Sequence, residues 1–515
     1  MRALNATADA AARGSRTAPT ATRRLPVDWA LAIPAAVTLG VMLWGIRTPS
    51  YWGDEVDTVS AVSRSLPQLV RLLGHIDAVH GAYYLLLWPV ARVAGTGEAA
   101  TRLPSALAMT AAALGVSAIA RRLRSRRAVL YSGLVFAALP AVTQQGHDAR
   151  PYAMVTAAVV LASYLLLRVT DDPRPARFAG YGLALVLVGY LQVLGLLIVP
   201  ARAITLLAWR RRDGSLDAGG RSVRVVVRGW LPTVAAAATA SAPVAVMIWL
   251  QRGSVAWIKE PGWYDVRYLL AFLAGGSVLS AVVMALLITV GTTRRPHRPP
   301  WLAPPWLAPP WPALLWLALP WLVVPPALLW AVSFLHPVYS ARYVTFCLPA
   351  TALLVGAALA ALRTPVAAAA LGLLVALSVT GPVGQWAVRV PGGTTGPAAM
   401  QAASQFLAAH ERPRDAVVYP GSSVPPLNLA YPAGFGQLRD LSLAEPGAAA
   451  GRLYGVAVPP AVLHRRERGA DRIWVAEVGG PWPGPAGYVV PGFRLAGHWR
   501  SPGGSARLWL YVRHR

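Results

Sequence analysis

Long apolar runs separated by short polar segments fill this chain from about residue 29 to residue 381. Each run approaches the roughly 20 residues that an α-helix needs to cross the hydrocarbon core of a bilayer. The pattern predicts a mainly α protein, a polytopic transmembrane helical bundle of about eleven spans. The predicted spans are 29–46, 102–120, 128–145, 152–168, 178–190, 192–209, 230–250, 268–291, 312–333, 342–361 and 365–381.

Two segments of the first polar loop, residues 47–101, do not fit the spanning pattern. Residues 59–73 carry apolar side chains at helical spacing with polar side chains opposite, which predicts a helix lying in the membrane interface. Residues 78–95 are long enough to be counted as a span. That count would place the basic loop RRLRSRR (121–127) outside, against the charge bias of membrane proteins. We therefore predict a second surface helix there.

The two ends of the chain differ from the bundle in composition. The N-terminal residues are rich in Ala, Thr and Arg and too polar for the apolar core of a signal peptide, so we expect a disordered cytoplasmic tail. Near the C-terminus, a helix, a turn and a strand are predicted in 399–420, with further strands at 471–478 and 505–513. The predicted domains are the tail (1–28), a transmembrane catalytic domain (29–381) and a small extracytoplasmic α/β domain (382–515).

Composition and charge support a membrane protein. The chain has 515 residues, of which 55% are apolar and only 13% charged, and its mean hydropathy is +0.47; these values exclude an ordinary soluble protein. The net charge of +27 is no sign of nucleic-acid binding, because the arginines cluster between apolar runs, as in loops that orient a polytopic protein. With the N-terminus inside, these loops face the cytoplasm, and the C-terminal domain lies outside the cell membrane.

Two further features narrow the possibilities. The single cysteine, Cys347, provides neither a disulfide framework nor a thiolate metal site. The tandem repeat PPWLAPPWLAPPW (299–311) has the proline density of polyproline II and is expected to be a stiff linker.

Three acidic side chains follow the first predicted span, in the stretch YWGDEVD (51–57). Asp54 or Asp57 could cap the helix that follows and complement its dipole. An Asp-Glu pair, Asp54 and Glu55, could instead supply a carboxylate base or a metal ligand at the membrane face. Capping does not account for all three acids, and the sequence alone leaves these roles open.

Cations and aromatic side chains are predicted on the same side of the membrane. Each arginine there is most simply a headgroup anchor, but several arginines beside a carboxylate suit the phosphate of a lipid-borne anion. Aromatic side chains there could stack on a sugar or form an ordinary interfacial belt. The candidate cations are Arg102, Arg150, Arg342, His80 and His147, and the candidate residues of the substrate cavity are these two histidines with Tyr83, Tyr84, Tyr152 and Tyr343. Arg202, placed near mid-span, is expected to be paired or to line a cavity.

Five motifs in this order, YWGDE, HGAYYLL, ATRLPSALA, DARPYAM and HPVYSARYVTFCLPA, resemble the GT-C membrane glycosyltransferases of the glycosyltransferase-39 and protein O-mannosyltransferase type. The resemblance covers about residues 29–381. It implies a polyprenyl-phosphate-sugar donor, no nucleotide-sugar site, and a catalytic aspartate at Asp54 with Glu55 beside it. It also implies donor phosphate-binding cations at Arg102 and Arg150, and less securely at Arg342.

The resemblance leaves the substrate details open. Relatives often carry prolines or an acidic-basic pair where this chain has His80 and Gly81. The outer loops also lack the large regulatory insertion of the mannosyltransferases. Because of these two departures, the sequence does not identify the acceptor. A mannosyltransferase is expected, although another hexose or a pentose is possible. The acceptor would be a hydroxyl of an envelope lipid, glycan or protein. No cofactor is expected; a divalent metal bound by Asp54, Glu55 and His80 is an alternative without a recognisable metal motif.

The implied reaction is one inverting displacement in which Asp54 takes the proton of the acceptor hydroxyl and arginines stabilise the departing phosphate. Two other classes compete with this interpretation. A transporter or flippase of polyprenyl-linked glycans would also use a cationic cavity, but predicts paired broken helices near mid-membrane. A non-catalytic membrane scaffold predicts no dependence on Asp54.

Overall fold

A computed structural model describes most of the chain. The described residues are 28–122, 126–211, 223–256, 258–293, 311–380, 384–390, 399–478, 488–501 and 506–514. The predicted tail and the proline-tryptophan repeat lie outside the described residues, apart from Asp28 and Trp311 at their ends.

The apolar runs and the first polar loop form sixteen helices among the described residues. They are α1 (Trp29–Leu43), α2 (Gly53–Val62), α3 (Leu66–His75), α4 (Gly81–Ala94), α5 (Glu98–Arg122), α6 (Arg126–Ala138), α7 (Pro140–Gly146), α8 (Tyr152–Asp171), α9 (Pro175–Leu191), α10 (Ile198–Arg211), α11 (Val223–Leu250), α12 (Trp263–Leu273), α13 (Val278–Thr293), α14 (Trp311–Ser333), α15 (Leu348–Ala361) and α16 (Thr364–Thr380). Short 3₁₀ turns cover Ala78–His80, Val193–Leu197, Arg252–Val255, Ala341–Cys347 and Ala387–Arg389.

Among the described residues, six helices are long and apolar enough to cross a membrane, or eight if each of two bent pairs counts as one span. The first pair, α6 and α7, bends by 64°, where Pro140 cannot donate a backbone hydrogen bond. The second pair, α12 and α13, bends by 59° at Gly275 and Gly276, whose positive φ angles suit glycine. Three shorter apolar helices, α1, α9 and α16, occupy the remaining predicted positions.

Small residues allow the helices of the bundle to approach closely. A Cβ atom on Gly356 of α15 would lie 2.4 Å from the backbone of Ser132 in α6. A Cβ atom on Gly133 of α6 would lie 2.3 Å from Pro34 in α1. Contacts between small residues are a common way for membrane helices to associate, so α6 forms the centre of this part of the bundle.

The first polar loop departs from the prediction. The single interfacial helix predicted for 59–73 is wrong, because the chain forms two helices, α2 and α3, with a break at Ser63–Ser65. Most residues of α2 are buried, and Ser60 Oγ donates a 2.7 Å hydrogen bond to the carbonyl of Leu453 in the C-terminal domain. α2 is therefore an internal element. α4, with 14 residues, is not among the helices long enough to span.

The C-terminal residues form a small α/β domain. Its elements are α17 (Ala399–His410), β1 (Ala416–Val418), β2 (Ser423–Val424), α18 (Leu427–Ala430), α19 (Pro432–Phe435), β3 (Arg439–Asp440), β4 (Leu443–Glu445), α20 (Gly447–Ala450), β5 (Gly455–Ala457), α21 (Pro460–Glu467), β6 (Arg472–Val478), β7 (Phe493–Arg500) and β8 (Ala506–Arg513). The main sheet has the order β3-β1-β6-β8-β7, in which β1 is parallel to β3 and β6. The predicted fold class, a helical membrane bundle with a small α/β domain, is confirmed.

Candidate active site

The acidic stretch forms the start of α2. The helix begins at Gly53 with Trp52 as its N-cap residue, and no side chain makes a cap hydrogen bond. The capping interpretation of Asp54 or Asp57 is therefore wrong. Asp54 and Glu55 lie in the first turn of α2, where the helix dipole stabilises negative charge.

Asp54 lies between two arginines that come from distant parts of the chain. Its Oδ2 atom is 3.2 Å from a terminal nitrogen of Arg150 and 2.9 Å from a terminal nitrogen of Arg342. The Asp54 side chain is 23% exposed, against 6% for Arg150 and 17% for Arg342. Burial alone would raise the pKa of the Asp54 carboxyl, but the two guanidinium groups outweigh it and hold this pKa below its usual value. Asp54 is thus ionised at neutral pH.

Arg150 is held in place by the backbone and by a tyrosine. Arg150 lies in the loop between α7 and α8. The preceding residue, Ala149, donates its amide to Glu55 at 2.9 Å, and the Ala149 carbonyl accepts from Thr58 at 2.9 Å. The guanidinium donates to the hydroxyl of Tyr84 at 2.9 Å. Tyr84 in turn donates to Asp77. These contacts fix Arg150 against α2.

Arg342 lies in the 3₁₀ turn that precedes α15, surrounded by aromatic rings. The guanidinium carbon is 4.9 Å from the ring centroid of Trp52, 5.7 Å from that of Tyr343 and 5.9 Å from that of Tyr152. Cation–π contacts of this kind stabilise an arginine in a partly desolvated site. Its Nε atom is buried and has no hydrogen-bond partner among the described residues.

Arg102 does not join this group. It forms a two-pronged ion pair with Glu55, with N···O distances of 2.8 and 2.6 Å, and both side chains are 1% exposed. Its remaining N–H groups donate to the carbonyls of Ile46, Pro49 and Ser50 at 3.0, 2.7 and 3.3 Å. All five donors of the guanidinium are therefore engaged within the protein. In this arrangement Arg102 has no N–H group left for a phosphate and Glu55 is its ion-pair partner, although both side chains line the same cavity as Arg342.

The two candidate histidines are buried and neutral at pH 7. Burial, together with the charge of Arg150, lowers the pKa of His80 well below its usual value. Burial also lowers the pKa of His147 to about 4, and its Nε2 lies 2.7 Å from the carbonyl oxygen of Met42. Neither histidine supplies a positive charge for a phosphate. His80 lies beside the Tyr84 ring, with centroids 6.0 Å apart.

A cavity of about 330 Å³ lies beside Arg342 and is lined by Trp52, His147 and Asp148, among other residues. Asp148 was not predicted as a site residue, although it belongs to the motif that contains Arg150. Trp52 Nε1 donates to it at 3.1 Å, and burial raises the pKa of its carboxyl to about 7. Tyr83 is fully buried against α3 instead of facing this cavity.

Two other expectations concern metal binding and Arg202. No group of three or more His, Cys, Asp or Glu side chains that could hold a metal ion occurs among the described residues. Arg202 donates to the carbonyl of Leu317 at 2.9 Å and to Ser163 at 2.6 Å. Its guanidinium carbon is also 4.4 Å from the ring centroid of Trp321. It is 1% exposed and is a structural contact between α8, α10 and α14.

Known proteins resemble the chain in sequence and in fold. Residues 82–218 match the family model described as dolichyl-phosphate-mannose-protein mannosyltransferase. The crystal structure of ArnT from Cupriavidus metallidurans in the apo state superposes with a TM-score of 0.57 at 14% sequence identity, covering 93% of this chain and 97% of that one. The structure of the same protein bound to undecaprenyl phosphate gives 0.57 at 12% identity, covering 94% and 97%. No curated protein matches the sequence.

The chain shares its fold, of the GT-C type, with ArnT over nearly its whole length, and its residues 82–218 match the mannosyltransferase family model. Within that fold, the residues around Asp54 are the candidate active site.

Proposed function

We propose that this protein is an integral membrane glycosyltransferase that moves a sugar from a polyprenyl-phosphate donor to a hydroxyl group of a cell-envelope acceptor. One observation carries the proposal: the Asp54 carboxylate is held between Arg150 and Arg342 at one end of the membrane bundle. The match to a dolichyl-phosphate-mannose-dependent family over 82–218 supports the donor class. So does the likeness in fold to ArnT, which binds undecaprenyl phosphate.

Asp54 is the general base of this reaction. The acceptor oxygen attacks the anomeric carbon while its proton passes to the Asp54 carboxylate. The bond between that carbon and the phosphate oxygen breaks, and the lipid phosphate leaves with the electron pair, so the anomeric configuration inverts. A carboxylate that is ionised at neutral pH and partly exposed satisfies the requirements of charge and access for this role.

Arg150 and Arg342 stabilise the leaving phosphate. Guanidinium groups match phosphate oxygens in geometry and charge, and a preorganised site of low polarity increases the effect of such donors. The same two groups hold Asp54 in the structure described here. A phosphate that takes a share of their hydrogen bonds leaves the carboxylate less stabilised and therefore more basic. Donor binding thus prepares Asp54 for the acceptor.

The test is sugar transfer by the purified protein in detergent. Radiolabelled polyprenyl-phosphate-mannose, the donor that the family resemblance implies, is mixed with extracted envelope acceptors. We expect transfer by the wild type and at least a roughly hundred-fold lower rate for Asp54→Asn, the size of effect typical of removing a positioned base. Asp471→Asn is the matched control, because the Asp471 side chain is 93% exposed in the C-terminal domain; it should leave the rate unchanged.

The other function classes predict different results. Equal transfer by wild type and Asp54→Asn contradicts the role of Asp54 as base. Movement of the donor lipid across vesicles by both proteins, without transfer, favours a transporter. The absence of both activities in folded protein favours a scaffold.

A further inference from the structure

A second cavity, of about 300 Å³, lies between α2 and the C-terminal domain, away from the arginines of the candidate active site. Tyr419 follows β1, and Asp440 ends the parallel neighbouring strand β3. Both residues line the cavity. They therefore lie at the carboxyl ends of adjacent parallel strands, where open α/β sheets usually bind ligands. The volume is at the lower end of the range for small-molecule sites.

The domain side of the cavity presents fixed polar groups. Tyr419 is 5% exposed, and its hydroxyl has no hydrogen-bond partner in the part of the chain that the structure describes. Its amide donates to Ser442 at 2.8 Å. Asp440 Oδ1 accepts from the amides of Ser442 and Leu443 at 2.8 and 3.0 Å. The backbone thus positions both the phenol and the carboxyl at the cavity wall.

The charge of the wall favours a neutral ligand. Among the lining residues that the structure describes, Arg64 has the one positively charged side chain. Its guanidinium donates to the carbonyl and hydroxyl of Ser60 at 3.1 and 3.2 Å, to the carbonyl of Gly447 at 3.3 Å and to that of Arg452. Because these bonds occupy Arg64 and Asp440 adds negative charge, an anionic group would be poorly compensated.

Part of the cavity wall is apolar. Proline, leucine and phenylalanine side chains lie beside the polar groups, among them Pro425, Pro426, Leu429 and Phe435. A sugar ring has both hydroxyl groups, which can donate to a carboxylate and accept from a phenol, and C–H faces, which pack on apolar surface. This combination fits the cavity better than a purely apolar or charged ligand.

The cavity is connected to the candidate active site through α2. Ser60, which lines it, comes six residues after Asp54, a rise of about 9 Å along the helix axis. On the domain side, Leu453 and Gly455 line the cavity, and Tyr454 between them interacts through its hydroxyl with Asp57. One helix and one short segment therefore extend from the cavity to the site of the reaction.

We propose that this cavity binds a neutral sugar unit of the acceptor, about 9 Å along α2 from the carboxylate that activates the acceptor hydroxyl. Its role in acceptor choice rests on the proposed function, whereas binding itself requires neither donor nor turnover. The transferase would accordingly prefer an acceptor that already carries sugar.

The test measures binding directly. Neutral oligosaccharides are released from cell-envelope polysaccharide by mild acid, tritiated at their reducing ends and passed over immobilised full-length protein in detergent. We expect retention by the wild type and by Asp54→Asn, and at least a ten-fold weaker retention by the Tyr419→Phe/Asp440→Asn double variant. Tyr264→Phe/Asp471→Asn, at two exposed positions, is the matched control and should bind as the wild type does. Thermal midpoints verify that all four proteins are folded.

Several outcomes would overturn the proposal. No retention by folded wild type, or equal retention by the double variant, rules out this sugar site. Retention that survives periodate oxidation of the ligand but is lost on protease treatment identifies a peptide ligand instead. Binding with the expected pattern but without sugar transfer overturns the proposed function alone. Where transfer occurs, the double variant should raise the acceptor concentration for half-maximal rate at least ten-fold and leave that of the donor unchanged.

Discussion

At the residue scale, the candidate site places the Asp54 carboxylate against two guanidinium groups, those of Arg150 and Arg342, and both arginines are largely buried. Two further carboxyl groups, those of Asp57 and Asp77, interact electrostatically with Arg150. Asp54 is the carboxylate that contacts both arginines, so in the proposed function the donor phosphate competes with it for their N–H groups.

The pH dependence of transfer tests this charge arrangement. The pKa of Asp54 is held below its usual value by the two arginines, so activity that needs the ionised carboxylate is lost only when the pH falls through that low pKa. Arg342→Gln removes one cation, raises the pKa of Asp54, and should move the acid limb of the pH–rate profile up by about one pH unit. The measurement is kcat/KM against pH, with Arg363→Gln, at an exposed position, as the control. An unmoved acid limb would contradict the argument.

The Glu55–Arg102 pair should contribute to stability and not to donor binding. Both side chains are buried and fully paired, and removing one partner of such a pair typically costs about 3–5 kcal/mol. We expect Glu55→Gln to lower the thermal midpoint in detergent clearly. Because the glutamine oxygen can still accept from the Ala149 amide beside Arg150, the folded protein should keep the wild-type donor concentration for half-maximal rate. If Glu55→Gln instead weakened donor binding without lowering the thermal midpoint, Arg102 would be a ligand of the donor phosphate.

The motifs pointed to three residues that the structure brings together, Asp54, Arg150 and Arg342, because charged residues at the ends of apolar runs stand out in a membrane protein. They could not separate Arg150 from Arg102. Both arginines stand at the end of an apolar run, and the difference lies in Glu55 and in the carbonyls of Ile46, Pro49 and Ser50, which together saturate Arg102. Only folding brings those acceptors to it.

At the element scale, the close contact between α6 and α15 depends on glycine. A Cβ atom at position 356 would lie 2.4 Å from the backbone of Ser132, so Gly356→Ala forces the two helices apart and should destabilise the protein by about 1–3 kcal/mol or more. Gly372→Ala in α16 is the control, since no atom lies within 4 Å of its Cβ position. Thermal midpoints in detergent measure both. Equal midpoints would contradict the packing described here.

The apolar periodicity predicted where the helices lie, but it did not predict that α2 is buried. The amphipathic pattern at 59–73 indicated a surface helix, but the structure buries α2, which contains the first residues of that segment. Leu453, which accepts a hydrogen bond from Ser60 in α2, lies almost 400 residues further along the chain, as do the Gly447 and Arg452 carbonyls bound by Arg64 just after the helix. No local pattern contains that information.

At the scale of the whole molecule, the membrane orientation remains a prediction from the basic loops. The C-terminal domain and Asp54 share one end of the bundle, because α2 contacts both the domain and the arginines. Positive charge concentrates in cytoplasmic loops, so this shared end should face outward.

Cysteine labelling tests the orientation. The native Cys347 is buried and should react poorly, which gives a low background in the intact cell. We expect Glu445→Cys, at an exposed position in the C-terminal domain, to react with a membrane-impermeant maleimide in intact cells. Arg174→Cys, whose native side chain is 71% exposed in the loop between α8 and α9, should react only after permeabilisation. The reverse pattern would invert the topology and place the candidate active site on the cytoplasmic side.

The sequence by itself determined the helical membrane class, the positions of the apolar helices and the presence of a small α/β domain, and it pointed to Asp54, Arg150 and Arg342 as candidate site residues. These follow from local properties: run length, periodicity, and the rarity of charge beside a bilayer. Tertiary structure alone decided that Arg102 is saturated by Glu55 and backbone carbonyls, that α2 is buried, and that Tyr419 and Asp440 face one cavity. Each of these depends on which distant groups meet, and pairing across hundreds of residues leaves no periodic trace in the chain.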